Sequence, residues 1–166
     1  LAEIVPGIVT DKPVLSGHYF VSYEHISEDT HELVDRVLQE THTDPKSVHG
    51  VIANGSPNSE TLAYFAHSYL GQLGNRGIEF IDFRERDQRR FKPDYSYLII
   101  SDKLLDDDIN LKIIRAIKEQ KSNPLAVAAV VDRRRKQGPI EDIPVVALHD
   151  FSSRTRYVGT GETGYS

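Results

Sequence analysis

The sequence predicts an α/β fold of three layers, a mostly parallel sheet with helices on both faces. Three observations lead there. Apolar runs of strand length alternate with stretches whose apolar residues recur at helical spacing. The runs are continuous rather than alternately polar, as expected of strands covered on both sides. Turn-forming Gly, Pro, Asn and Asp residues separate the pieces.

Taken in order, residues 1–13 carry Pro6, Gly7 and Pro13 and read as an irregular lead-in. Residues 18–23 are aromatic and β-branched, which favours a strand. Asp29 with Glu32 three residues later has the spacing of a capping box, and Leu33, Val34, Val37 and Leu38 repeat at helical spacing, so the spacing predicts a helix over 29–41. A buried strand follows at 48–53, a tight loop at 54–58, and a helix over 59–72 built on Leu62, Phe65, Ala66, Tyr69 and Leu70. Residues 78–83 alternate like a strand, and the basic stretch 84–94 reads as a loop. The next strand is expected at 95–100 and a loop at 101–108. A helix over 106–121 turns Ile109, Ile113, Ile114 and Ile117 inward. Strands at 126–131 and 144–148 close the fold. Residues 1–151 are expected to form one domain and 152–166 a polar tail. Ligands of such sheets bind at the C-terminal strand ends, which directs attention to the loops 54–58, 84–94, 101–108 and 132–139.

Composition narrows the function classes. The chain has 166 residues, 39% hydrophobic and 27% charged, enough for a single self-supporting core. It has no cysteine, which removes disulfides, thiolate nucleophiles and Cys-based zinc sites. The seven histidines show no metal-ligand spacing, so no metal is expected through them. No apolar run reaches the ~20 residues that span a bilayer, and no leader pattern is visible, so the cytoplasm is the default expectation. The first residue is Leu1 and the chain has no Met, so a processed product or a piece of a longer chain is expected. The net charge of −5 argues against nucleic acid as a partner, while the clusters 84–92 and 133–136 leave room for a small anionic ligand.

The order of the pieces resembles the orotate phosphoribosyltransferase branch of the type I phosphoribosyltransferases, from about Val14 to Phe151. The stretch Val14, Leu15, Ser16, Gly17 before Tyr19 and Phe20 is similar to that branch's N-terminal Ser-Gly and aromatic segment. Residues 50–55 fall where the family binds pyrophosphate, and residues 83–86 where a mobile hood begins. Residues 98–102 fall where an apolar strand ends in two acidic residues, and Val130, Val131, Asp132, Arg133 match a Val-Asp-Arg segment near the base site. Residues 144–148 match the closing strand. The resemblance implies that Asn54, Gly55 and Ser56 line the pyrophosphate loop and that Arg84 and Arg89 reach pyrophosphate. It implies further that Asp102 holds ribose hydroxyls or a Mg²⁺-linked group, with Ser101 in the same ligand site, and that Arg133 faces the base. It also implies a homodimer.

The chemistry departs from that pattern at the phosphate loop. The family's Thr-Thr-Gly-Gly loop cradles a phosphate with backbone N–H groups and hydroxyls. Here Lys103, Leu104, Leu105, Asp106, Asp107 and Asp108 follow Asp102, with no glycine or hydroxyl and with three carboxylates. Like charges about 4 Å apart near a protein surface repel by about 4 kcal/mol. The hood lysine is replaced by Glu85, and the N-terminal lysine by Leu15. Bland alternatives stand beside each site: 106–108 as a helix start favoured by the helix dipole or as a cation site, 84–92 as a solvated loop, Arg133 as a surface residue. Two functions follow, beside a third reading as an ordinary flavodoxin-like regulator, which predicts a different strand order. The first is a phosphoribosyltransferase-like scaffold that has lost phosphoribosyl transfer and binds a ligand or a protein partner. The second is an active phosphoribosyl (glycosyl) transferase, or related nucleotide-processing enzyme, using phosphoribosyl pyrophosphate and Mg²⁺.

Overall fold

The computed structural model describes residues 4–6, 19–21, 25–83 and 91–150. Its centre is a five-stranded sheet of β3 (Gly50–Ala53), β4 (Glu79–Asp82), β5 (Ser96–Leu104), β6 (Asn123–Asp132) and β7 (Val145–Asp150). The spatial order is β4-β3-β5-β6-β7, and each neighbouring pair is parallel. Two short N-terminal strands, β1 (Ile4–Pro6) and β2 (Tyr19–Val21), pair antiparallel apart from this sheet.

Helices α1 (Ile26–Glu40) and α2 (Ser59–Gln72) cover one face, and α3 (Ile109–Glu119) covers the other. Alternation of side chains along β5 divides the core accordingly. Leu98 and Ile100 pack with Leu33, Val37, Leu62 and Ala66 under α1 and α2. Tyr97 and Ile99 pack with Ile113, Ile114 and Ile117 under α3. The three-layer α/β architecture read from the sequence is therefore present, with a wholly parallel main sheet. Among the described residues no helix is long and apolar enough to cross a membrane.

Helix α2 has the boundaries its periodicity predicts. Among the boundaries that differ, three have a clear tertiary reason. Helix α1 starts at Ile26, three residues before the expected Asp29 cap. Ile26 is 7% exposed and extends the buried face by a turn. His25 stands at the cap position and makes no side-chain capping bond, while Asp29 is a buried first-turn residue. Burial holds the Asp29 carboxyl above its ordinary range. Strand β5 runs on to Leu104, through the first half of the expected 101–108 loop. Its pairing with β6 continues through Lys103↔Val131 and Leu104↔Asp132. Helix α3 begins at Ile109 rather than 106, since 106–108 are taken up by the turn described below.

One cross-strand pair locks the sheet. Gly50 lies directly opposite Tyr97 in the β3–β5 register. A Cβ at Gly50 would stand 2.7 Å from Cδ1 and Cε1 of the fully buried Tyr97 ring. The Tyr97 hydroxyl donates to Glu79 Oε1 at 3.0 Å and accepts from Lys92 N at 3.0 Å, while Lys92 Nζ reaches Glu79 Oε2 at 2.7 Å. Burial, with help from the Glu79 carboxylate, pushes the phenol up to about 12.

Replacing Gly50 with Ala should destabilise the fold by about 1–3 kcal/mol, the usual cost of overpacking, read as a lower urea midpoint at unchanged slope. The Tyr97 phenol has a folded pKa above its ordinary 10.0. Its contribution is therefore fully present below pH 10 and lost as pH rises through about 12. Urea titrations across that window should show a steeper loss of stability in the wild type than in Tyr97→Phe, and equal slopes would refute the assignment.

Candidate functional site

From β3 the chain moves outward through α2 to the edge strand β4, then returns to place β5 on the other side of β3. The segments leaving β3 and β5 diverge at this reversal. Between them, beyond the C-terminal strand ends, lies a crevice of about 430 Å³. This is the switch point where open α/β sheets bind ligands. Asn54, Gly55, Ser56 and Pro57 form one wall, Asp102, Lys103, Leu105 and Asp107 another, and Phe83, Ile109 and Asn110 complete it.

Asn54 organises the first wall. It is 3% exposed. Its Nδ2 donates to Oδ1 of buried Asn110 at 3.0 Å, joining the loop after β3 to α3. Its Oδ1 accepts from Ser56 N at 3.0 Å and from Ser56 Oγ at 2.7 Å. Gly55 takes a φ of 94°, where a side chain would be strained. Its N–H donates to Ser59 Oγ at 3.1 Å, and that hydroxyl donates to Ser56 O at 2.8 Å, closing the turn into α2.

The end of β5 supplies the second wall. Ser101 is fully buried. Its hydroxyl lies 3.3 Å from that of Ser56 and donates to Lys103 O at 3.0 Å. Asp102 is 3% exposed. Its Oδ2 accepts from Asn58 Nδ2 at 3.3 Å, and its Oδ1 is buried with no hydrogen-bond partner among the described residues. A buried carboxylate oxygen without a donor is costly and uncommon.

The acidic run has structural partners. Asp106 accepts from Arg135 N at 3.1 Å and pairs with Arg135 Nε at 3.3 Å. Asp107 Oδ1 accepts from Ile109 N at 3.2 Å, and Asp108 lies 3.7 Å from Lys112 Nζ. The run thus ties the start of α3 to the segment after β6, and Asp107 also lines the crevice. Among the described residues no cluster of three or more metal-ligating side chains occurs.

Of the residues singled out from sequence, Asn54, Gly55, Ser56 and Asp102 meet at the crevice, with Ser101 buried beside Ser56. Arg84 and Arg89 lie outside the described residues. Arg133 does not line the crevice, and its backbone N–H donates to Leu104 O at 2.9 Å. The next residue, Arg134, chelates Asp132, with Nε 3.0 Å from Oδ1 and Nη2 2.8 Å from Oδ2. Sequence reasoning did not single out Lys103, Asn110 or Phe83. Lys103 was visible as the lone cation between Asp102 and the acidic run, whereas the contact of Asn110 with Asn54 leaves no local signal.

No protein-family profile matches the chain, and no curated protein sequence matches it. Solved structures do. The fold is that of the type I phosphoribosyltransferases. Adenine phosphoribosyltransferase from Rhodothermus marinus aligns with a TM-score of 0.58 at 14% identity, over 90% of this chain and 93% of its own. The Leishmania tarentolae enzyme gives 0.58 at 10% identity, over 91% and 84%. Orotate phosphoribosyltransferase from Aeropyrum pernix gives 0.53 at 14%, over 95% and 93%. Likeness at such identity shows the fold, and these scores do not single out the orotate branch.

Replacing Asn110 with Ala leaves buried Asn54 Nδ2 without an acceptor and should cost about 1–3 kcal/mol. The Ser56 amide should exchange faster with solvent. A double-mutant cycle with Asn54→Ala should show that the two losses do not add.

Proposed function

We propose that this phosphoribosyltransferase-fold domain does not transfer phosphoribosyl groups and that its crevice binds a small polar ligand lacking a phosphate. The observation that carries the reading is the chain after β5. There the resemblance calls for a glycine–hydroxyl cradle, and here Leu105, Asp106, Asp107 and Asp108 stand in its place. A phosphate dianion on this segment would meet Asp107, a crevice-lining carboxylate, and the neighbouring buried Asp102. The strand before the segment and the helix after it are both present, which supports reading it as the family's phosphate-binding position with altered chemistry.

Ligand binding is favoured over a purely structural role because the crevice is open and its polar walls are fixed. Loop 54–58 is held to α3 by the Asn54–Asn110 bond and to β5 by the Ser56 hydroxyl. Preorganised walls of this kind lower the entropy cost of binding. The N-terminal segment containing Tyr19 and Phe20 is proposed to support a homodimer, as the resemblance implies; light scattering that returned a monomer mass would remove that part.

With phosphoribosyl pyrophosphate, Mg²⁺ and either orotate or adenine, the protein should release no pyrophosphate above the protein-free rate. Calorimetry with millimolar phosphoribosyl pyrophosphate and Mg²⁺ should show no binding heat. Pyrophosphate release proportional to protein concentration would establish transferase activity and overturn the reading.

A further inference from the structure

The crevice contains two opposite charges that do not neutralise each other. Asp102 and Lys103 are consecutive on β5, and consecutive strand residues point to opposite faces of a sheet. Both nevertheless line the crevice, since it straddles the strand ends and takes residues from both faces. Neither side chain has an ion-pair partner among the described residues.

The Asp102 carboxylate is poorly satisfied. Among the described residues its single side-chain donor, Asn58 Nδ2, stands at 3.3 Å, long for an N–H···O bond, and Oδ1 has none. Asp102 lines the crevice while its Oδ1 lacks a donor among the described residues. An anion alone would satisfy Lys103 and be repelled by Asp102 and Asp107. A cation alone would leave Lys103 without a partner. Phe83, Leu105 and Ile109 add apolar surface to the same lining.

Resting on the reading of the crevice as a ligand site without phosphate, we propose that it binds a small zwitterion, an α-amino acid with an apolar side chain. Its ammonium donates to Asp102, its carboxylate meets Lys103, and its side chain lies against Phe83, Leu105 and Ile109. The volume of about 430 Å³ accommodates such a molecule.

The test is an amide NMR titration of the full chain with L-leucine to about 10 mM, a range that reads millimolar affinities. Isocaproate, which lacks the ammonium, and isoamylamine, which lacks the carboxylate, serve as matched controls. L-leucine should shift the amides of Gly55, Ser56 and Asp107. Each control should bind about tenfold or more weakly, the loss of one charge-assisted hydrogen bond. Asp102→Asn and Lys103→Gln should weaken L-leucine by a similar factor with their thermal midpoints recorded alongside, and the controls on the wild type stand even where a variant fails to fold. Equal binding of isoamylamine or of isocaproate would overturn the zwitterion in favour of a single-charge site. No response to L-leucine, with adenosine shifting the same amides, would overturn the zwitterion while leaving the phosphate-free ligand crevice standing. Turnover of phosphoribosyl pyrophosphate, in its separate assay, would overturn that underlying reading.

Discussion

Parallel backbone pairing between β5 and β6, running from Ser96↔Asn123 to Leu104↔Asp132 with one register shift between Tyr97 and Leu98, is the constraint on which the rest of this structure depends. Apolar side chains drive the first part of the ladder. Beyond Ile100 the strand becomes polar, yet the hydrogen bonds continue, and Ser101 and Asp102 are carried into burial at the end of the sheet. Backbone groups in such a position need partners, and the ladder supplies them. Arg133 N–H extends it by one bond to Leu104 O, after which Arg134 folds back onto Asp132. The crevice, the start of α3 and the brace from Asp106 to Arg135 all take their positions from this extension.

The crevice is built from small polar side chains that satisfy one another. Asn54, Ser56, Ser59, Ser101 and Asn110 form a connected set, with Asn54 using both ends of its amide. Beside that set, Asp102 Oδ1 is a buried acceptor with no hydrogen-bond partner among the described residues, next in sequence to a lysine that likewise has no ion-pair partner among them. Buried polar groups are almost always satisfied, so this oxygen is where the polar crevice departs from the rule.

Several features were legible in the residues. The apolar spacing of Leu62, Ala66 and Leu70 defines α2, and Ile113, Ile114 and Ile117 define the inner face of α3. The ordered resemblance located the loop after β3 and the end of β5, and the structure brings Asn54, Ser56 and Asp102 together there. Other features were not. In the run 133–136 nothing local distinguishes Arg134, which chelates Asp132, from Arg133, whose side chain was expected at a base site. The spacing of Asp29 and Glu32 fits a capping box, but burial of Ile26 draws the helix start back by a turn. The acidic run fits a first helical turn, but its side chains are drawn to Arg135 and to the Ile109 amide instead.

By itself the sequence determined the succession of the five main-sheet strands and three helices, but not β1, along with the inward face of each helix and the chemical character of the segment after β5. These follow from periodicity and residue type, which act over a turn of helix or a few strand residues. Only the tertiary structure decided how far β5 extends, which arginine is locked, and that Asn54 finds Asn110, 56 residues away. Strand pairing and burial belong to partners brought together from distant parts of the chain, so no window of neighbouring residues contains them.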